Sequence, residues 1–356
     1  MALPDLTYIA APMIKQSDAP FRLLTQRHGA TLAYTQMLDP HKLLEDRDYL
    51  EFHQRDLTFG RDAGNETDGP VVVQLCGNDP EIIVQAGKKI QGFCSGIGGL
   101  TESTAKFLDL NLGCPQEHAR EGHYGGYLLA KKDWPLVQTI GKQHVILVSA
   151  MSHLLQPPTS VKLRLCPSSS PPSSTVEFAT LLEQAGASWV TLHARHVSAR
   201  RRRQGAADLD VVRTLKAALR VPVVSNGNVR TWEDVQRNKK ETRADGIMVG
   251  ETLLGNPCIF ANVIPDPVQV SLEYLEICKE LPDIATHKTI ETHVRHFIEF
   301  QCSRRPWYNK FRTTLPACEG IHDIEHLLRT KVTRWRGKAA LKNHDACTDD
   351  LEYTTD

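Results

Sequence analysis

The chain has 356 residues, of which 41% are hydrophobic, so it is long enough for one large domain and a smaller one with a substantial core. Lysine and arginine together number 42, as do aspartate and glutamate, so overall charge gives no support for a nucleic-acid partner and leaves only a local basic patch. The nine cysteines are an odd number without a C-x-x-C spacing, which predicts reduced thiols and argues against zinc fingers and iron–sulfur clusters.

Eight apolar runs with β character recur along the first part of the chain, and a helical stretch usually follows each. The runs lie at 7–13, 32–37, 71–77, 107–113, 160–165, 189–195, 221–228 and 246–251. Eight βα units in about 250 residues predict a closed (β/α)₈ TIM barrel, an α/β fold whose buried parallel strands read as continuous apolar runs. An open doubly wound sheet is the alternative, although it rarely uses eight equally spaced units.

The segments between these runs carry helix start and stop signals. In the first of them, Ser17 or Asp18 is the expected N-cap, Pro20 lies in the first turn and Gly29 ends the helix. Stretches rich in glycine, proline and serine predict surface loops instead, at 96–104, 152–160 and 166–175.

Strand signals stop near Ser271, and the rest of the chain predicts a small all-α domain. Helices are expected at 271–281, 286–302 and 320–335. We therefore expect a barrel domain over residues 1–265, a helical domain over 266–343 and an acidic, disordered tail over 344–356.

The helical part is locally basic although the whole chain is neutral. Between Lys288 and Lys342, twelve lysines and arginines stand against five acidic residues, and aromatic residues are interleaved with them. Solvated helix faces explain any single charge, whereas the clustered excess favours an RNA-binding surface.

The carboxyl ends of the strands are where a barrel of this kind builds its active site. A glycosidase would need a pair of carboxylates there, and a metal hydrolase would need clustered histidine and aspartate, so neither is expected. The candidates instead provide one thiol, several cations and two turns that contain glycine: Pro12, Met13, Ile14, Gln74, Asn111, Cys114, Lys162, Arg164, His193, Arg195, Asn226, Gly227, Asn228, Gly250 and Glu251.

Part of this set suits a flavin. The glycine turns follow the seventh and eighth strands, where many barrels bind phosphate through backbone N–H groups. Lys162 could neutralise negative charge near N1 and O2 of a reduced isoalloxazine, and the Gln74 amide could hydrogen-bond its edge. No G-x-G-x-x-G fingerprint occurs, so a Rossmann-type nucleotide site is not expected.

Six motifs lie in order over residues 7–262: "APM", "NLGCPQ", "VKLR", "HAR", "NGNV" and "GNPCIF". With them the chain resembles the FMN-dependent tRNA-dihydrouridine synthases, and it is most similar to their eukaryotic 16/17 branch. Glu251 stands where many members of the wider family have arginine, and the branch shares this glutamate. The resemblance therefore implies phosphate binding by backbone N–H groups rather than by that side chain.

The resemblance also implies a reaction and roles for the candidates. NADPH or NADH would reduce FMN, the flavin N5 would give a hydride to C6 of a D-loop uridine in tRNA, and Cys114 would give a proton to C5. The glycines at 122, 125 and 126 would form a mobile segment over the base. Contacts to tRNA are implied for Asn111, Arg164, Arg195, Arg304 and Arg305. Contacts to FMN are implied for Pro12, Met13, Ile14, Gln74, Lys162, His193, Asn226, Gly227, Asn228, Gly250 and Glu251.

Alternatives stay open at this point. Another FMN-dependent barrel dehydrogenase would act on a small pyrimidine, and a non-catalytic tRNA-binding protein would keep the barrel without its chemistry. Asn111 fits a cap of the local turn as well as a contact to the target base, and Arg200–Arg203 fit a solvated run as well as a phosphate site.

The start of the chain lacks the basic residues and the apolar core of a signal peptide, and no apolar run reaches membrane-spanning length. We therefore expect a protein of the cytoplasm, with the nucleus as an additional location, and no membrane partner. We also expect a monomer without a metal.

Overall fold

The eight predicted strands form one closed barrel. A computed structural model of the protein describes residues 2–58, 69–94, 105–138, 147–198 and 205–337. Within these ranges all eight strands are parallel and pair in chain order, which confirms the predicted (β/α)₈ fold. The strands are β1 (Tyr8–Ala10), β2 (Leu32–Tyr34), β3 (Val71–Leu75), β4 (Ala105–Leu112), β5 (Thr159–Leu165), β6 (Val190–His196), β7 (Val223–Asn226) and β8 (Gly246–Val249).

The barrel closes between β1 and β8, where Ile9 pairs with Met248. Every residue of β3, β7 and β8 is buried, as expected for strands covered by helices outside and by side chains inside. Apolar and aromatic side chains fill the interior: Ile9, Leu32, Tyr34, Val72, Phe107, Trp189, Val224 and Met248. Since the interior is filled, a ligand finds space at the carboxyl ends of the strands.

Helices follow the strands on the outside, and the predicted signals mark their ends. Asp18, rather than Ser17, is the first N-cap, because its Oδ1 accepts the N–H of Phe21 at 3.0 Å. Gly29 ends that helix with a φ of +95°, a conformation that favours glycine. The helices of this part are α1 (Ala19–Arg27), α2 (Pro40–Glu45), α3 (Arg47–Thr58), α4 (Pro80–Cys94), α5 (Glu117–Glu121), α6 (Trp134–Gln138), α7 (Leu147–Leu154), α8 (Ser174–Gln184), α9 (Leu209–Ala218), α10 (Trp232–Thr242) and α11 (Glu251–Gly255).

The predicted surface loops are shorter than expected where they are described. The stretch 96–104 lies outside the described residues. The prediction for 152–160 was largely wrong, because α7 runs to Leu154 and β5 begins at Thr159, which leaves a short connection around two prolines. The stretch 166–175 is irregular up to Ser173, where α8 follows.

The C-terminal part is helical, as predicted, and packs directly on the barrel. Its apolar residues form one continuous core cluster with those of α1, β1, β8 and α11. The predicted helix at 320–335 includes one π-helical segment, Leu327–Val332. The predicted acidic tail lies outside the described residues. The helices here are α12 (Pro267–Glu280), α13 (His287–Cys302), α14 (Tyr308–Thr314), α15 (Ile321–His326) and α16 (Thr333–Trp335).

None of the described helices combines the length and the apolar character that crossing a membrane requires. The cysteines whose side chains are described are free thiols, as predicted: Cys76, Cys114, Cys166, Cys258, Cys278, Cys302 and Cys318.

A buried ion pair between α1 and α3 stabilises the loop that follows β1. Arg22 Nη1 lies 3.0 Å from Asp56 Oδ2 and donates to the Ser17 carbonyl at 2.6 Å, with both charged side chains almost fully buried. The Ser17 hydroxyl in turn accepts the N–H of Met13 at 2.8 Å, so the pair holds the loop after β1 in place.

We expect Asp56→Ala to lower the free energy of unfolding by about 3–5 kcal/mol, because it leaves the Arg22 charge buried without its partner. Glu280→Ala, which removes the partly exposed pair with Arg27, is the control and should have little effect. Urea denaturation of both variants measures the difference, and equal effects would contradict the structural role given to Asp56.

Candidate active site

A cavity of about 410 Å³ opens at the carboxyl ends of the strands, and all eight strands or the residues that follow them contribute to its wall. Every candidate that the sequence analysis placed at a strand end lines it. Residues that sequence analysis did not select also line it: Ala11, Gln16, Met37, Gly113, Pro115, Gln116, Val229, Met248, Val249 and Leu254.

Cys114 lies at the end of β4 in a turn that is capped by a side chain. Asn111 Oδ1 accepts the N–H groups of Gly113 at 3.0 Å and Cys114 at 2.9 Å, which is the capping role that the sequence analysis left open. The thiol is only 6% exposed, and burial raises its pKa above the ordinary value. The site therefore holds Cys114 as a protonated thiol at neutral pH.

The glycines after Cys114 are close-packed rather than free. A Cβ on Gly125, whose φ is +62°, would lie 3.0 Å from the Cys114 Cβ. A Cβ on Gly126 would lie 2.7 Å from the Val197 side chain, and the Gly126 N–H donates to the Cys114 carbonyl. The prediction of a mobile segment does not fit these two glycines, because both are buried and let the backbone approach the thiol.

A buried carboxylate that the sequence analysis missed lies next to the candidate glutamine. Asp109 is fully buried on β4 and accepts hydrogen bonds from Gln74 Nε2 at 2.8 Å and from the Ser160 hydroxyl at 2.6 Å. Burial raises the pKa of Asp109 to about 7, although these donors and Lys162 lower it. The signal was its spacing of two from Asn111, which puts both side chains on the inner face of β4.

Four basic side chains line the cavity from the adjacent strands β5 and β6. Burial and the charge of Arg164 lower the pKa of Lys162 to about 8, although Asp109 and Cys114 oppose the shift. The pKa of His193 lies well below its usual range, because its ring is buried and faces three cations, so the ring is neutral. Lys162 Nζ has no hydrogen-bond acceptor among the described residues. Its positive charge is therefore available to a ligand in the cavity.

The arginines of this group have fixed positions. Arg164 Nη1 donates to the His196 carbonyl at 3.0 Å, and Arg195 Nη2 lies 3.5 Å from Asn228 Oδ1. Burial and the charge of Arg195 lower the pKa of Arg164 to about 10, although the charge of Glu251 opposes the shift. Arg164 remains charged at neutral pH.

The two glycine turns offer backbone donors. Gly227 and Asn228 both have positive φ, at +124° and +57°, and the Asn228 side chain is fixed by two hydrogen bonds of 2.7 Å to the Ala207 backbone. The N–H groups of Gly227, Asn228 and Gly250 have no acceptor within the parts of the chain that the structure describes. Free N–H groups of this kind suit an anion.

The remaining predicted residues lie elsewhere. Arg304 and Arg305 are exposed between α13 and α14 and do not line the cavity. Arg200–Arg203 fall outside the described residues. No group of three histidines, cysteines or carboxylates that could hold a metal occurs within the described ranges.

Comparison with known proteins gives consistent matches. A rat protein named "tRNA-dihydrouridine(16/17) synthase [NAD(P)(+)]-like" is 35% identical over 281 residues, which cover 79% of this chain and 58% of that protein. A Saccharomyces cerevisiae protein named "tRNA-dihydrouridine(16/17) synthase [NAD(P)(+)]" is 30% identical over 87% of this chain and 68% of its own. The chain thus spans little more than half the length of the rat relative.

Among solved structures, morphinone reductase in complex with tetrahydroNAD aligns at a TM-score of 0.46 and 12% identity, over 71% of this chain and 84% of that one. A likeness of that size carries no argument about function. The family model described as "Dihydrouridine synthase (Dus)" matches residues 9–348, almost the whole chain. The chain therefore belongs to the dihydrouridine synthase family.

Proposed function

We propose that this protein is a tRNA-dihydrouridine synthase that reduces the C5–C6 double bond of a D-loop uridine, at position 16 or 17, with FMN as cofactor and NADPH or NADH as reductant. The observation that carries the proposal is a buried, protonated thiol, Cys114, in the same cavity as an ammonium group, Lys162, that has no acceptor of its own. The names of the rat and yeast relatives support the same substrate and reductant.

The residues of the cavity fit FMN. The free N–H groups of Gly227, Asn228 and Gly250 suit its phosphate, and Lys162 suits the electron-rich edge of its ring. The rest of the proposed cofactor wall consists of Pro12, Met13, Ile14, His193, Asn226 and Glu251. Gln74 also belongs to this wall, because one N–H of its Nε2 donates to Asp109 and the other is left for the cofactor. When bound there, FMN would supply a hydride to C6 of the base, and NAD(P)H would return a hydride to the flavin.

Cys114 supplies the matching proton. Its Sγ–H donates to C5 of the uridine, so hydride and proton together saturate one double bond and leave a thiolate that is reprotonated from solvent. Burial makes this thiol a proton donor rather than a nucleophile, because it favours the neutral form. Arg164, Arg195 and Asn111, whose second Nδ2 N–H makes only a weak contact of 3.6 Å to Met37 Sδ, are the proposed contacts to the base and its backbone.

The proposed tRNA surface lies on the C-terminal helices. Arg304, Arg305, Lys310 and Arg312 are exposed, and neither Arg304 nor Arg305 forms an ion pair with a described residue. Lys310 Nζ lies 4.8 Å from the centre of the Trp335 ring, which places a cation beside an aromatic face. Unpaired arginines on an otherwise neutral protein suit phosphate contacts, and we propose residues 266–343 as the tRNA-binding domain beside a catalytic domain over 1–265.

The experiment that tests the function uses the purified protein, NADPH and unmodified tRNA. We expect a bound flavin that NADPH reduces and tRNA reoxidises, with one dihydrouridine formed in the D-loop per flavin turned over. Mass spectrometry of nuclease fragments locates the modified base. A reduced flavin that a free pyrimidine reoxidises faster than tRNA would contradict the proposal.

Reversing Arg304 and Arg305 to glutamate should raise the KM for tRNA and leave flavin reduction by NADPH unchanged. Loss of two phosphate contacts is expected to lower the slope of log affinity against log salt by about 2. Binding measured between low and moderate salt checks this slope.

The matched control reverses Arg213 and Arg237, exposed arginines on α9 and α10, which gives the same change in total charge. An equal loss of affinity in both double variants would show that net charge, rather than the proposed surface, governs binding.

A further inference from the structure

Three hydrogen bonds form a chain that runs from the turn at Cys114 to the buried carboxylate of Asp109. The N–H of Cys114 donates to Asn111 Oδ1 at 2.9 Å, and Asn111 Nδ2 donates to Gln74 Oε1 at 2.8 Å. Gln74 Nε2 then donates to Asp109 Oδ2 at 2.8 Å. Every bond in this chain points in the same direction, and the last acceptor is Asp109.

A second chain reaches the same carboxylate from the floor of the barrel. Trp189 Nε1 donates to the Tyr34 hydroxyl at 3.0 Å, and that hydroxyl lies 3.4 Å from Ser160 Oγ. The Ser160 hydroxyl donates to Asp109 Oδ1 at 2.6 Å. An indole N–H can only donate, so this chain also ends on an acceptor.

We propose that Asp109 is a positioning residue that orients the side chains of Gln74 and Asn111 and so holds the Cys114 turn in its reactive geometry. The inference rests on the proposed function, because the step it serves is proton transfer from Cys114. Asp109 itself lies below the cavity wall and has no exposed surface.

The two carboxamides could each be turned by half a revolution, and the groups at the two ends of the chain, the backbone N–H groups and Asp109, fix one orientation. If Gln74 were turned, its oxygen would face the Asp109 carboxylate and its nitrogen would face Asn111 Nδ2, so two buried contacts would become repulsive. If Asn111 were turned as well, its nitrogen would face the N–H groups that it now accepts. The N–H donors at one end and the acceptor at position 109 at the other therefore together leave only the arrangement that caps the Cys114 turn.

Two substitutions distinguish the hydrogen-bond acceptor that Asp109 provides from the negative charge that it carries. In Asp109→Asn, the new oxygen can accept from Gln74 while the new NH₂ donates to Ser160, whose hydroxyl then donates to the Leu108 carbonyl 3.3 Å away. The chain to Cys114 survives in this variant. In Asp109→Leu, which has a similar size, no acceptor remains and the Gln74 carboxamide loses its anchor.

The experiment compares Asp109→Asn, Asp109→Leu and a matched control in the full chain with its bound flavin. Ser225→Ala is the control, since it alters a buried hydroxyl of β7 that has no hydrogen-bond partner among the described residues. The first readout is the alkylation rate of Cys114 by iodoacetamide, resolved by peptide mass spectrometry. The second is the single-turnover rate at which tRNA reoxidises the prereduced flavin, measured beside flavin reduction by NADPH.

We expect Asp109→Leu to speed alkylation of Cys114 several-fold and to slow the tRNA half-reaction on the order of 10²-fold. Flavin reduction by NADPH, in which Cys114 takes no part, should change much less, although Gln74 also lies in the proposed cofactor wall. Asp109→Asn and Ser225→Ala should match the wild type in both readouts. Asp109→Ala replaces the leucine variant should the latter fail to fold.

Two results would overturn the proposal. One is an Asp109→Asn protein that folds and is as impaired as the leucine variant, which would make the charge essential. The other is an Asp109→Leu protein with unchanged alkylation and turnover. A wild type that tRNA never reoxidises, combined with the expected alkylation pattern, would refute the proposed function and leave the positioning role standing.

Discussion

Cys114→Ala is expected to fold, retain its flavin and accept electrons from NADPH at the normal rate, while reoxidation by tRNA slows by on the order of 10²–10⁴-fold. In the proposed mechanism the thiol acts only after the flavin is reduced and only on a bound base, so the two half-reactions can be measured separately. Burial raises the pKa of Cys114 above the ordinary thiol value of about 8.5, so the thiol should remain protonated as the pH rises from 7 to about 8.5. The tRNA half-reaction of the wild type should not decline over that interval.

Serine at position 114 should not restore the rate, because an alcohol is a far weaker acid than a thiol. Cys166→Ala is the matched control, since Cys166 is a buried thiol that follows β5 and does not line the cavity. It should cost stability and leave the tRNA half-reaction intact. Single-turnover reoxidation of prereduced enzyme measures all three variants, and a wild-type rate for Cys114→Ala would refute the proton-donor role.

The strands could be predicted because eight apolar runs of strand length recur along the chain, with helix start and stop signals between them. The lengths of the strands could not be predicted from these runs. The run at 7–13 contains only three strand residues, because the chain leaves the sheet after Ala11, whose N–H still donates to Val249. Beyond it the backbone is held by the Ser17 hydroxyl, a contact that depends on Arg22 and Asp56 from elsewhere in the fold.

The strand-end rule located the cavity wall, since the carboxyl ends of all eight strands must meet at one face of a closed barrel. It did not identify Asp109, because the importance of this carboxylate comes from partners on β3 and β5 that only the folded barrel brings together. Gly125 and Gly126 show a second limit. A glycine required for flexibility and one required for close approach look the same in a sequence, and the distances to Cys114 and Val197 distinguish them.

Lys162→Met is expected to weaken flavin retention by about 10–100-fold, because one charge-assisted hydrogen bond to a buried ligand is lost. The methionine has a similar shape, so the β5 backbone, which pairs Lys162 with Asn111 and Thr191, should be undisturbed. Lys216→Met is the control, since Lys216 is bound to Asp245 on the outside of the barrel.

The pH dependence of flavin retention tests the same charge without a mutation. Burial and Arg164 lower the pKa of Lys162 to about 8, so the ammonium form predominates below pH 7 and is lost as pH rises through 8 in the empty site. The protonated form is the one that attracts an electron-rich ring edge, so flavin affinity should be constant below pH 7 and fall above pH 8. A flavin that binds the ammonium form more tightly must raise the pKa of Lys162 in the complex. The decline in flavin affinity should therefore end at the pH that equals this higher pKa. Lys162→Met should be weak at every pH and show no such fall. A wild-type affinity that stays constant to pH 10, or a Lys162→Met protein with full flavin occupancy, would remove Lys162 from the cofactor site.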